Sequence, residues 1–221
     1  MNAVKADFTE RFSDVNRLYE HIDKLSKANG NVDIILILKA SLYIALYNNI
    51  EAVIYSILER IHEEVSVCEY KKVTPNIKNM IIEYYLPAVS EKKRNFATVS
   101  EKKRNFAIKN IADFNLKLPS FSQYQNKKNV FSGNLDVKAI REIFKKYGII
   151  FKYNINSTLI LEVKNKRNKI AHGECSLSDA GKNVKLEGLK KTVTSVECLL
   201  NECMLQTEDF LMNHRYLDPS N

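Results

Sequence analysis

Arg167, Asn168 and His172 lie within the run Leu159–Gly173, L-I-L-E-V-K-N-K-R-N-K-I-A-H-G, and have the chemistry of phosphodiester cleavage. Arginine is a permanent planar cation whose fork grips a phosphate bidentately, and histidine is the side chain suited to moving protons near neutral pH. Placed in one groove, they make a metal-free cleaving site. Leu159, Val163, Lys166 and Ile170 follow helical spacing, and Gly173 stands where a helix ending in a left-handed residue takes glycine. The pattern predicts one helix closing just after His172. Residues five apart on a regular helix point ~140° apart. Arg167 and His172 therefore converge only through a loosened last turn or a second protomer. Lys164, Lys166 and Lys169 crowd the same turns as candidate phosphate contacts, although cations there also complement the helix dipole.

Other chemistries find little footing. The chain has no Gly-rich phosphate loop, no HExxH and no GxSxG, so serine or metal hydrolysis has no support. Glu63-Glu64 and Glu208-Asp209 read as helix-surface neighbours rather than a paired-carboxylate nuclease. Cys68, Cys175, Cys198 and Cys203 lack CxxC spacing and paired histidines, which argues against zinc and for a reduced cytosolic setting. No metal or cofactor is expected. His21, His62 and His214 read as structural or solvated.

The elements that must position the motif read as helices. With 45% hydrophobic residues but only 6 Gly and 4 Pro in 221, the chain suits one globular, mostly helical domain. Phe8, Phe12, Val15, Tyr19 and Ile22 draw an apolar stripe on a first helix from about Asp7 to Ala28. Asp33 then caps a long second helix to about Cys68, with a candidate break at Asn48-Asn49. Its run Ile34–Ile50 is interrupted by Lys39 and those asparagines, which favours a buried core helix over a bilayer span. Tyr43, Tyr47, Glu51 and Tyr55 recur every four residues along it. They form either a second packing face or a line in which Glu51 and Tyr47 orient a catalytic arginine.

A short helix, Ile77 to Leu86, comes next, between Pro75 and Pro87. The segment from about 71 to 133 reads as a less regular basic insertion in which V-S-E-K-K-R-N-F-A occurs twice, at Val89–Ala97 and Val99–Ala107. Such a repeat suits an exposed tip, since ten residues added to a helix rotate its downstream turns by ~280°. Lys117 to Asn134 reads as loop, Asp136 caps a helix Val137–Tyr147, and Gly148–Tyr153 reads as an extended connection. Glu174–Ser178 reads as a turn with Gly181 as its outer limit, and a last helix is expected to run to about Asn213. At least five helices and no credible sheet predict an all-α bundle. The start of the chain is amphipathic at once, so no signal peptide and a cytoplasmic protein are expected. The formal charge of +8 suits a polyanionic partner, although many basic proteins bind no nucleic acid.

The stretch K-R-N-K-I-A-H-G resembles the R-x4-6-H signature of the HEPN superfamily. Asn134-Leu135-Asp136, with Ile140 to Gly148 after it, is similar to the segment preceding the motif in MAE-type HEPN-like nucleases, and Tyr47–Ile61 is similar to that branch's early helix. The resemblance spans about Val32 to Leu211. It implies an all-α bundle forming a two-fold dimer, with two motifs across a shared groove and metal-independent ribonuclease activity. Arg167 and His172 match the signature, and Asn168 its usual polar position. Lys164, Lys166 and Lys169 become candidate RNA contacts. HEPN toxins paired with a nucleotidyltransferase carry Tyr two residues after the histidine, where this chain has Glu174. The expected setting is a toxin-antitoxin or anti-phage defence locus with a cognate antitoxin or paired protein. The rival expectations are a catalytically silent helical dimer that binds a protein or nucleic acid, and a nucleotide-binding regulatory module.

Overall fold

The computed structural model describes residues 1–28, 31–86, 116–131, 133–151 and 156–219, and apolar residues at steps of three and four build nearly every element among them. Among the described residues the α-helices are α1 (Asn2–Lys27), α2 (Val32–Ser66), α3 (Pro75–Tyr85), α4 (Phe121–Lys128), α5 (Val137–Tyr147), α6 (Ser157–Ala171), α7 (Leu177–Gly181) and α8 (Leu186–Met212). A 3-10 turn, Tyr70–Lys72, precedes α3. Among the described residues there is no strand, only an isolated antiparallel bridge between Val73 and Leu217. The protein is all-α.

The chain divides into two compact units. The first comprises Met1–Ile57, Ser132–Arg141 and Phe151–Leu205. Phe8, Phe12, Val15 and Ile22 of α1 are buried in it, as the stripe predicts. So are Leu46, Tyr47, Ile50, Val53 and Ile54 of α2, Ile160 and Val163 of α6, and Leu189, Val196 and Leu200 of α8. Among the described helices, α2 alone is long and apolar enough to cross a membrane, but these buried positions make it a core helix. It does not break at Asn48-Asn49. The Asn49 side-chain amide donates to the Ala45 carbonyl at 2.9 Å, so this donor is satisfied on its own helix. Asp33 lies inside the first turn, where it complements the dipole instead of capping. Elsewhere in this unit, α7 meets α2 backbone to backbone: a Cβ on Gly181 would stand 2.0 Å from the Leu36 carbonyl oxygen.

The second unit comprises Leu58–Phe131, Glu142–Ile150 and Gln206–Asn221. Its centre is His62, fully buried against the rings of Phe121 and Tyr124. The Pro119 carbonyl, 2.7 Å from Nδ1, can only accept, so Nδ1 carries the proton and Nε2 accepts from the Tyr147 hydroxyl at 2.8 Å. Of the two readings the sequence left open for this histidine, structural or solvated, the structure shows the first. Helix α4 falls where sequence reading expects loop: the Ser120 hydroxyl accepts from Gln123 N–H, and Phe121 and Tyr124 turn inward. The S-x-x-Q capping pattern was the available signal. The C-terminal residues close this unit, with Thr74 N–H donating to the Tyr216 carbonyl and Asp218 N–H to that of Lys72. The duplicated nine-residue segment and its Lys-Lys-Arg triplets lie outside the described residues.

Candidate functional site

Helix α6 carries the motif, and its two ends have different chemical fixings. At the start, the Asn156 side chain accepts from the Thr158 and Leu159 N–H groups. At the finish, Gly173 N–H bonds to the Ile170 carbonyl and Glu174 N–H to that of Lys169, with Gly173 at φ +71. This pair of bonds is a Schellman closure. It makes His172 the C-cap, exposed, with φ −88 and ψ 1. The helix therefore stays regular through Ala171, and no loosened turn swings His172 toward the face of Arg167.

Arg167 faces inward because it extends the buried stripe Ile160–Val163 by one more turn. The alternative line Leu159, Lys166 and Ile170 is only half-buried. The guanidinium lies over the Tyr47 ring, 4.6 Å from its centroid, and its Nη2 is 3.7 Å from a Glu51 carboxylate oxygen. Nη1 donates to Asn168 Oδ1 at 3.0 Å and, at a long 3.4 Å, to the Gly133 carbonyl. The side chain remains 25% exposed, so the cation is oriented yet reachable. Stacking on an aromatic face and a charged neighbour together fix the plane of the fork.

The line of residues every four positions on α2 runs along α6. The Tyr43 hydroxyl donates to Glu162 at 2.9 Å under the Lys166 ammonium, while Tyr47 and Glu51 meet Arg167. Tyr47 is buried, and its hydroxyl accepts from the Leu135 N–H at 2.9 Å. Burial, reinforced by the Glu51 carboxylate and opposed by the Leu135 N–H and Arg167, pushes its pKa up to about 12. The phenol stays protonated and serves as a platform rather than a base. Glu51 and Tyr47 are thus brought to the arginine.

The candidate lysines part company. Lys164 forms a half-buried ion pair with Asp136 at 2.6 Å. Burial works against the Asp136 carboxylate, but Lys164 and the Ala139 and Lys138 N–H groups outweigh it and hold its pKa below the usual range. Lys166 donates to the Ala180 carbonyl at 2.8 Å, tying α6 to α7. Lys169 is exposed. Two of the three ammonium groups are therefore engaged within the fold, leaving Lys169 the one best placed to meet a ligand.

The short segment before α5, singled out above by its resemblance to MAE-type nucleases, has contacts with the motif that sequence reading did not foresee. Gly133, Asn134, Leu135 and Asp136 contact, in turn, Arg167, Asn168, Tyr47 and Lys164. Asp136 is also the expected cap of α5, accepting from Ala139 N–H. The cap and the family resemblance of Asn134-Leu135-Asp136 were visible in the sequence, but the contacts with the motif were not, because the partners lie far away along the chain. Among the described residues, no three His, Cys, Asp or Glu side chains gather as a metal-binding group.

The arrangement supplies an oriented guanidinium on one side of a helix end and a solvent-facing imidazole at its cap. No curated protein and no solved structure matches the chain. A family model does, over residues 2–216, and the HEPN family suggests a nuclease-like or RNA-related function. With the match covering nearly the whole chain and the all-helical fold in accord, this protein belongs to the HEPN_MAE_28990-like HEPN family.

Proposed function

We propose that the chain is a metal-independent endoribonuclease, working as a two-fold dimer and serving as the toxin or effector of a toxin-antitoxin or anti-phage defence system. The observation that carries this reading is the pairing of an oriented, reachable Arg167 with an exposed His172 at the end of the same helix. In the reaction, one imidazole removes the proton of a ribose 2′-OH. The 2′-oxygen then attacks phosphorus and the bond to the 5′-oxygen breaks, as a second imidazole protonates that leaving oxygen. The arginines stabilise the charge on the pentacoordinate phosphorus. Two imidazoles from one sequence position call for a two-fold axis, and the regular end of α6 supports a second protomer as their source. Lys169 adds attraction for the phosphate backbone, and a paired protein covering His172 would hold the toxin in check.

The reading of a silent helical dimer has an observation of its own: Arg167 is already contacted by Glu51, Asn168, Gly133 and Tyr47, as a purely structural arginine would be. One experiment separates the two. Purified protein, shown by sedimentation to be dimeric at micromolar concentration, is incubated with total RNA in excess chelator. Cleavage is the expected outcome; RNA retained uncut supports the silent dimer, and a monomer contradicts the composite site.

A further inference from the structure

We infer that Asn134 is a positioning residue of this site, setting the direction of the Arg167 guanidinium through the side-chain amide of Asn168. For its effect on cleavage, the inference rests on the ribonuclease reading above. The geometry forms a chain of two hydrogen bonds. Asn168 Nδ2 donates to Asn134 Oδ1 at 3.0 Å, and Asn168 Oδ1 accepts from Arg167 Nη1 at 3.0 Å. Both ends of the Asn168 amide are thereby assigned. A flipped amide would aim its NH₂ at the guanidinium, donor against donor, so an acceptor at position 134 selects the orientation in which Asn168 can hold the arginine. Asn168 then acts through Arg167 rather than on the substrate.

The segment that carries Asn134 is itself fixed to the arginine's platform. Leu135 N–H bonds to the Tyr47 hydroxyl, whose ring lies under the guanidinium, and Asp136 pairs with Lys164 one turn back on α6. Gly133, at φ +68, approaches so closely that a Cβ there would stand 2.9 Å from Arg167 Nη1. This short loop thus holds two successive motif side chains. Asn134 itself is exposed, so its removal should disturb orientation without disturbing the core.

The test compares Asn134→Ala with Asn134→Asp, which keeps the acceptor. Single-turnover cleavage at saturating RNA should fall on the order of tenfold in Asn134→Ala, the worth of one lost hydrogen bond to an oriented group, and recover in Asn134→Asp. The added negative charge of Asn134→Asp should appear in the half-saturating RNA concentration instead. In an Arg167→Ala background, Asn134→Ala should cost nothing further. Nuclear magnetic resonance of the protein alone supplies a readout independent of activity. The Asn168 side-chain amide and Arg167 guanidinium signals should move in Asn134→Ala and return in Asn134→Asp. A wild-type protein that cuts no RNA overturns the ribonuclease reading, and the resonances then decide the positioning. Asn168 signals unmoved by Asn134→Ala, or an undiminished rate loss in the Arg167→Ala background, overturn the positioning.

Discussion

His172→Ala should lower single-turnover RNA cleavage by ~10²- to 10⁴-fold, the usual worth of general acid–base catalysis, while RNA affinity stays close to that of the wild type. The architecture is the reason for this separation. His172 is the exposed C-cap of α6, fixed by backbone bonds around Gly173 that do not involve its ring. Removing the imidazole leaves the helix end, the Arg167 platform and the exposed Lys169 in place. Arg167→Ala should behave differently, losing rate and affinity together, since one group grips the phosphate and stabilises its developing charge. Lys169→Ala should weaken association and flatten its salt dependence with little change in the saturated rate. Lys164→Ala is a poor probe of RNA contact, because it strands the partly buried Asp136. Binding and cleavage measured at several salt concentrations distinguish these patterns. If His172→Ala cuts RNA at the wild-type rate, the chemistry does not lie in this motif.

The second large effect is on stability in acid. Burial lowers the His62 pKa to about 4, against an opposing influence from the Pro119 carbonyl. In the unfolded chain an ordinary histidine titrates near ~6.5. Between these values the unfolded state binds a proton that the folded state refuses, so unfolding becomes more favourable as pH falls. The neutral histidine's contribution is present in full above ~6.5 and is lost as pH drops from there toward 4. At ~1.4 kcal/mol per pH unit, the loss amounts to about 3 kcal/mol, a large share of a typical domain's stability. Urea unfolding at pH 7 and pH 4 should show this loss in the wild type and a distinctly smaller one in His62→Gln, which hydrogen-bonds without titrating. Parallel pH profiles for the two proteins contradict a neutral, buried His62.

The all-helical architecture was legible because the apolar spacing of α1, α2 and α8 is long and regular, and long periodic patterns leave few alternatives. Helix α4 was not, since its polar residues and flanking Pro119 resemble a loop, and only Ser120 with inward Phe121 and Tyr124 betrays it. Helix α2 continues across Asn48-Asn49, with Leu46, Tyr47, Ile50 and Val53 buried on either side and the Asn49 donor satisfied on its own helix, none of which composition reveals. At the site, the motif residues could be read from their types, and the regular spacing of Tyr47 and Glu51 offered a line toward Arg167. The division of labour among the lysines could not. Lys164, Lys166 and Lys169 look alike in sequence, and only the tertiary partners Asp136 and Ala180 separate the first two from the exposed third. The same holds for Gly133 and Asn134, whose hydrogen bonds to Arg167 and Asn168 span long stretches of chain.

The central claim, an imidazole-driven attack by the ribose 2′-oxygen at the end of α6, is tested most directly by the ends of the cut RNA. Attack by that oxygen leaves a 2′,3′-cyclic phosphate on one fragment and a 5′-hydroxyl on the other. Fragments produced by the wild-type protein in excess chelator should carry those ends, and His172→Ala should yield almost none of them. Fragments bearing 5′-phosphates, or cleavage that stops when the chelator is added, would contradict the account.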